Sequence, residues 1–282
     1  MKPRLLRASG RRAVARLARL LAPGGDAHGL RILTYHRVND HHPQDRLTVH
    51  PAAFREQMEA LAAVGRPVLA LGDALPALRG AAPLPRGAIA LTFDDGYADN
   101  FSDALPILDR LGFKATFFVA TGYLGTANTL ERYRACCARD GMLDWDQVRE
   151  LRARRHEVGG HGRAHRELGA LSPGEAAAEL EGCAADIASH TGERPRLFCY
   201  PRGSESPLVR ELAAAHGFEA ACTVYPGTNP PGGPLLALRR TEVAAADAIA
   251  DFRFKLEGGY DSWHRLVQRA AAVRTRLRRR TA

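Results

Sequence analysis

No run of about 18 apolar residues occurs in the 282-residue chain, which excludes a transmembrane helix. Cysteine is scarce. The five present (Cys136, Cys137, Cys183, Cys199 and Cys222) are odd in number, include an adjacent pair and form no CxxC spacing. That excludes a zinc knuckle and a thioredoxin-type site, and a reducing compartment suits it better than a secreted disulfide framework. The uninterrupted apolar stretch of a signal peptide is missing too. Arginines break every candidate until Leu20-Leu21-Ala22, and Pro23-Gly24-Gly25 follows at once. A cytoplasmic location, or a peripheral one on the inner membrane face, is therefore expected. Internal repeats are absent, and a composition of 45% hydrophobic and 25% charged residues excludes disorder as the main state.

Acid is lacking at both ends. Residues 1–25 carry seven basic side chains and residues 265–282 another seven, with no Asp or Glu in either. These ends hold 14 of the 40 Lys and Arg, so the body, 26–264, has a net charge of −5 where the whole chain has +9. Residues 5–22 read as an amphipathic helix, with Leu6, Val14, Leu17 and Leu21 on one face and arginines on the other. Such ends suit an anionic membrane surface, and equally a solvated or docked helix face. Nucleic acid is an unlikely partner, because no recognised binding module accompanies them.

Between the ends, short apolar runs alternate with helical patterns. Strands are expected near 30–35, 88–93, 115–120, 156–159, 197–200 and 220–224, and helices near 52–64, 100–111, 145–154, 174–190 and 206–216. Alternation of this kind predicts an α/β fold with a mostly parallel sheet, open or closed into a barrel. Pro226 to Pro234, with four prolines and three glycines, reads as a long loop. The domain reading is a basic N-terminal segment 1–28, a catalytic body 29–255 with its core from about 86, and a basic C-terminal helix or tail 256–282.

Four short motifs could carry chemistry, and each has a plainer reading. Asp94 and Asp95 follow an apolar strand and precede Gly96; one carboxylate can hold a metal while the other serves as a base, although Asp-Asp-Gly also ends strands for backbone reasons alone. His161 and His165, at i and i+4, would share one face of a helical turn and could share a cation. Tyr200-Pro201-Arg202-Gly203 ends another strand in a turn, where the amides of Arg202 and Gly203 could face an oxyanion. His36 ends the first strand, where a lone histidine is more often a satisfied core or surface residue. All four fall at the C-terminal ends of expected strands, the edge that carries active sites in parallel α/β folds.

Thr92 to Tyr97, His161 to His165 and Tyr200-Pro201-x-Gly203 resemble, in order, the first three motifs of the NodB-type polysaccharide deacetylases, carbohydrate esterase family four. The resemblance implies a distorted (β/α) barrel, a divalent cation (usually zinc) and hydrolysis of N-acetyl groups from amino sugars. By motif it makes Asp94 the base, Asp95, His161 and His165 the metal ligands, and the Arg202 N–H an oxyanion donor. The sequence departs from the family where Cys199 takes the place of the third-motif arginine and Arg202 that of its tyrosine. No late Leu-x-His motif supplies a general acid. A permuted branch of the family carries that histidine early, in a Tyr-His pair that Tyr35-His36 resembles. Arg239 or Arg240 is the candidate for the missing arginine beside Asp94. Alternatives are a related amide hydrolase and a non-catalytic glycan-binding barrel at a membrane surface.

Overall fold

The computed structural model describes residues 29–127 and 141–261. The amphipathic stretch 5–22, the basic stretch 265–282, and Cys136 and Cys137 lie outside the described residues. Ten strands are present among them: β1 Arg31–Tyr35, β2 Arg37–Val38, β3 Thr48–Val49, β4 Val68–Leu69, β5 Ile89–Phe93, β6 Ala115–Val119, β7 Glu157–Gly160, β8 Leu197–Cys199, β9 Ala220–Cys222 and β10 Thr241–Glu242. Eight form one sheet in the order β10-β1-β5-β6-β7-β8-β9, with β4 beside the first half of β5, and every pairing is parallel. The fold is the expected distorted (β/α) barrel of the NodB type. The strip 238–242 bridges the two sheet edges. Leu238 exchanges backbone bonds of 2.8 Å with Ala221 and Thr223, while Thr241 and Glu242 pair with Leu33 and Thr34.

The period-two alternation of strands sorts their side chains onto two faces. On β1, β5 and β6, Tyr35, Phe93 and Phe117 are register partners whose rings stack at 5.5 and 4.9 Å under the surrounding helices. The even-numbered residues of β1 and β5 face the barrel interior, and they change character along the strand. Ile32 gives way to Thr34, and Ala90 to Thr92. Ile32, Ala90, Phe118, Leu197 and Cys222 pack together as one apolar cluster. Polar groups collect instead at the C-terminal edge, where strand ends leave room for a cleft.

The helices used here are α1 Pro51–Val64, α2 Leu105–Arg110, α3 Trp145–Ala153, α4 Pro173–Thr191, α5 Pro207–Ala215 and α6 Ile249–Leu256. Local signals set their ends. Ser172 and Glu175 form a reciprocal capping box ahead of α4, Pro173 takes its first turn, and Gly192 ends it in the left-handed region at φ 81°. Asp144 and Gln147 cap α3 in the same way. Expectation and structure differ at 100–111. The segment begins as a π-helix over Asn100–Ala104 and only then becomes α2. The described body continues past residue 255: a buried bidentate pair ties Asp261 to Arg31 at 3.2 and 2.7 Å.

Candidate active site

A cleft of about 900 Å³ opens at the C-terminal edge of the barrel. Its floor includes His36 after β1, Asp94 and Asp95 after β5, His161 after β7, and Tyr200 and Arg202 after β8. The four motifs are thus brought together. Adjacent carboxylates on a regular strand would point to opposite faces. Asp95 sits at φ 76°, in the left-handed region, which breaks the alternation and lets both side chains line the cleft. Only four non-glycine residues among those described have positive φ, and Asp95, His165 and Arg202 are three of them. Strain concentrated in this way is usual at functional sites.

Asp95 Oδ1 lies 3.2 Å from His161 Nε2 and 3.3 Å from His165 Nε2. The three ligand atoms all fall within 4.8 Å of one another, which suits one cation with positions left for water and substrate. His161 Nδ1 is 2.7 Å from the Cys199 carbonyl, an acceptor, so Nδ1 carries a proton and Nε2 is the ring nitrogen left to serve as the ligand atom for a cation. Burial raises the Asp95 carboxyl, but the two histidines outweigh that and hold it well below the usual carboxylate range. The sequence expectation of a helical turn at 161–165 is corrected. The segment is a loop with Gly162 at φ 73° and His165 at φ 53°, and it converges the two rings by turning, not by helical spacing.

Asp94 is buried, and its partner is Arg240. The guanidinium makes two parallel bonds of 2.7 Å, Nη1 to Oδ1 and Nη2 to Oδ2. Burial raises the Asp94 carboxyl and Arg240 overrides it, so the group stays below the usual carboxylate range. Arg240 is itself fixed by Thr223 O at 2.9 Å and Thr34 Oγ1 at 2.9 Å. Arg239 turns to the neighbouring loop, donating to Pro226 O at 3.2 Å. Cys199 fills the space beside them, its Sγ 3.1 Å from Arg240 Nη2 and 3.6 Å from Asp94 Oδ2. Burial, with Asp94 nearby, pushes this thiol well above its ordinary value and keeps it neutral. The small side chain leaves the barrel interior open to an arginine arriving from the opposite edge.

His36 Nε2 stands 3.8 Å from Asp94 Oδ2. Asn100, buried in the π-helix, donates to the His36 carbonyl at 2.8 Å and so fixes the strand end to the segment after Asp95. In the 200–203 turn the two expected donors separate. The Gly203 N–H is taken by the Tyr200 carbonyl at 2.8 Å, which leaves the Arg202 N–H as the donor the turn can offer. Gly203, at φ 69°, lies under Val224, whose Cγ2 would be 2.4 Å from an added Cβ. Pro201 starts the turn, and the Tyr200 hydroxyl donates to Leu236 O at 3.0 Å. Sequence reasoning assigned no role to Thr34, Thr92 or Glu179. The two threonines were legible as inward polar residues on otherwise apolar strands.

Comparison with known proteins agrees with this fold. The sequence pattern of the family described as Polysaccharide deacetylase matches residues 81–221. The Bacillus subtilis (strain 168) protein named Putative polysaccharide deacetylase YxkH is 25% identical over 215 residues, covering 76% of this chain and 71% of that protein. Poly-beta-1,6-N-acetyl-D-glucosamine N-deacetylase of Escherichia coli (strain K12) is 30% identical over 138 residues, which are 48% of this chain but 20% of that protein. The structure of IcaB from Ammonifex degensii has a TM-score of 0.70 at 26% identity, covering 81% of this chain and 97% of that one.

Proposed function

Because the chain belongs to the polysaccharide deacetylase family, hydrolases of the carbon–nitrogen bond in N-acetyl sugars, we propose that it removes N-acetyl groups from amino sugars of a glycan or glycan intermediate, releasing acetate, with one divalent cation at Asp95, His161 and His165. The observation that carries this reading is the pairing of that ligand set with a separate buried carboxylate, Asp94, held ionised by Arg240 in the same cleft. A pure glycan binder has no use for such a base. The donor set, one carboxylate and two imidazoles with open positions, fits zinc. The Escherichia coli relative's named substrate makes N-acetylglucosamine polymers the first class to test.

A cation held there supplies Lewis-acid polarisation of the acetyl carbonyl and lowers the pKa of water. The chain's own residues do the rest. Asp94 takes the proton of the attacking water as general base. Arg240 keeps Asp94 ionised and fixes its plane through the bidentate bond. The Arg202 N–H donates to the oxyanion as the carbonyl becomes tetrahedral. His36, whose Nε2 lies 3.8 Å from Asp94 Oδ2, gives a proton to the departing amine, which cannot leave as an amide anion near neutral pH.

The test is acetate release from N-acetylglucosamine oligosaccharides by the wild type, Asp94→Asn and His36→Ala, with bound metal measured on each sample. Both variants should keep metal. Asp94→Asn should lose turnover on every substrate. His36→Ala should lose ~10²–10⁴-fold on the sugar amide, the usual worth of a positioned acid, and much less on an activated aryl acetate. Equal losses of His36→Ala on both substrates would make that histidine structural. Undiminished acetate release by Asp94→Asn would remove the mechanism.

A further inference from the structure

We infer that Glu179 is a positioning residue for the cation site: it holds the loop carrying His161 and His165 in its metal-ready shape from outside the cleft. The inference rests on the cation reading above and goes beyond its ligand set.

The loop's backbone is held from two sides. Its carbonyls are pinned from one side, by the turn after β6. Thr121 N–H donates to Gly162 O at 3.2 Å and Gly122 N–H to Arg163 O at 2.8 Å. That approach is close enough to require glycine, since a Cβ at 122 would lie 2.7 Å from Arg163 O. The amides are pinned from the other side, by a single atom. Arg163 N–H and Ala164 N–H both donate to Glu179 Oε2, each at 2.8 Å. Glu179 lies on the buried face of α4, beside Ala176, Leu180 and Cys183, and is 8% exposed.

A carboxylate on an otherwise apolar helix face needs such partners, and buried amides need such an acceptor. Gly162, at φ 73°, offers no side chain to brace the turn from within. An added Cβ there would lie 3.0 Å from Glu179 Oε2, so the glycine also lets the carboxylate reach the amides. Without Glu179 the loop keeps its carbonyl anchors but loses both amide anchors, and His165 gains freedom to leave Asp95. His165 would then have to be ordered when the cation binds, while His161 stays fixed by its N–H to Val119 O at 3.0 Å and its Nδ1 to Cys199 O at 2.7 Å, and affinity would fall.

The test is zinc affinity, read by competition with a chelator on the purified full chain, for Glu179→Ala, Glu179→Asp and Glu179→Gln. Loss of an outer partner of metal ligands costs ~10–100-fold in affinity, and Glu179→Ala should weaken zinc by that factor. Glu179→Asp keeps the charge and the helix but is one methylene short, so it should weaken zinc as well. Glu179→Gln should bind close to wild type, because both amides go to one oxygen and an amide carbonyl can replace it. Should Glu179→Ala fail to fold, the aspartate and glutamine variants still decide. Wild-type affinity in Glu179→Asp, or a glutamine variant as weak as the aspartate one, would overturn the inference. His161→Ala serves as the separate control: if it keeps full zinc, the cation assignment fails, and this inference falls with it.

Discussion

At the scale of single residues, Arg240 decides what Asp94 can do. Burial alone would lift this carboxyl above its usual range, and the guanidinium reverses the sign. A base with a depressed pKa is ionised, and active, down to lower pH. Arg240→Met should therefore raise the Asp94 pKa and move the acidic limb of the kcat/KM–pH profile to higher pH. Arg239→Met should leave the limb in place. An unmoved limb in Arg240→Met would show that the bidentate pair does not set the base. Stability should fall too, since breaking a buried ion pair costs about 3–5 kcal/mol when the orphaned charge stays buried. Sequence alone narrowed this arginine to two neighbours and could go no further. Residues 239 and 240 differ only in the face they present, and that depends on the register of the strip joining the sheet edges. Asp94, Asp95, His161 and His165 were legible because their spacing and strand-end placement are local properties. Glu179 was not, since its partners lie fifteen and sixteen residues away across a helix–loop contact.

At the scale of elements, one consequence concerns the base of the barrel and not the cleft. His156 precedes β7 and is buried. Its Nδ1 accepts the Ala115 N–H at 3.2 Å and its Nε2 meets Asp109 Oδ1 at 3.1 Å. An Nδ1 that accepts carries no proton, so the neutral ring with Nε2–H satisfies both bonds, and protonation would break the first. Burial lowers this imidazole below its ordinary value against the opposing pull of Asp109. The unfolded chain, with an ordinary histidine near 6.5, then binds the proton more readily. The stabilisation is present above that value and is lost as pH falls below it and through the lower value of the folded state. Thermal melts between pH 7 and pH 5 should show a steeper decline for the wild type than for His156→Gln. Parallel curves would contradict the coupling. The same element scale shows why β4 and β10 escaped sequence reading: two residues are too few for alternation to register. The π-helix at Asn100 escaped because its apolar pattern resembles that of an ordinary helix.

At the scale of the molecule, the site exists only when the barrel is joined. Asp94 and Arg240 are 146 residues apart, and the strip 238–242 that bridges the sheet edges also delivers the arginine. No helix among the described residues is long and apolar enough to cross a membrane. The basic ends add a separate expectation, of peripheral attachment. With 14 basic side chains and ~1 kcal/mol available per residue near an anionic surface, a few engaged residues suffice. The protein should co-sediment with anionic vesicles and release at high salt. Equal sedimentation after removal of 1–25 and 265–282 would reject that role. The central claim, cation-dependent deacetylation at the Asp95–His161–His165 site, is tested most directly by one titration. The purified chain is stripped with a chelator, zinc is returned in steps, and acetate release from an N-acetylglucosamine oligosaccharide is measured against bound zinc. The account predicts a rate that rises in proportion to occupancy and saturates at one zinc per chain, and full turnover by the stripped protein would contradict it.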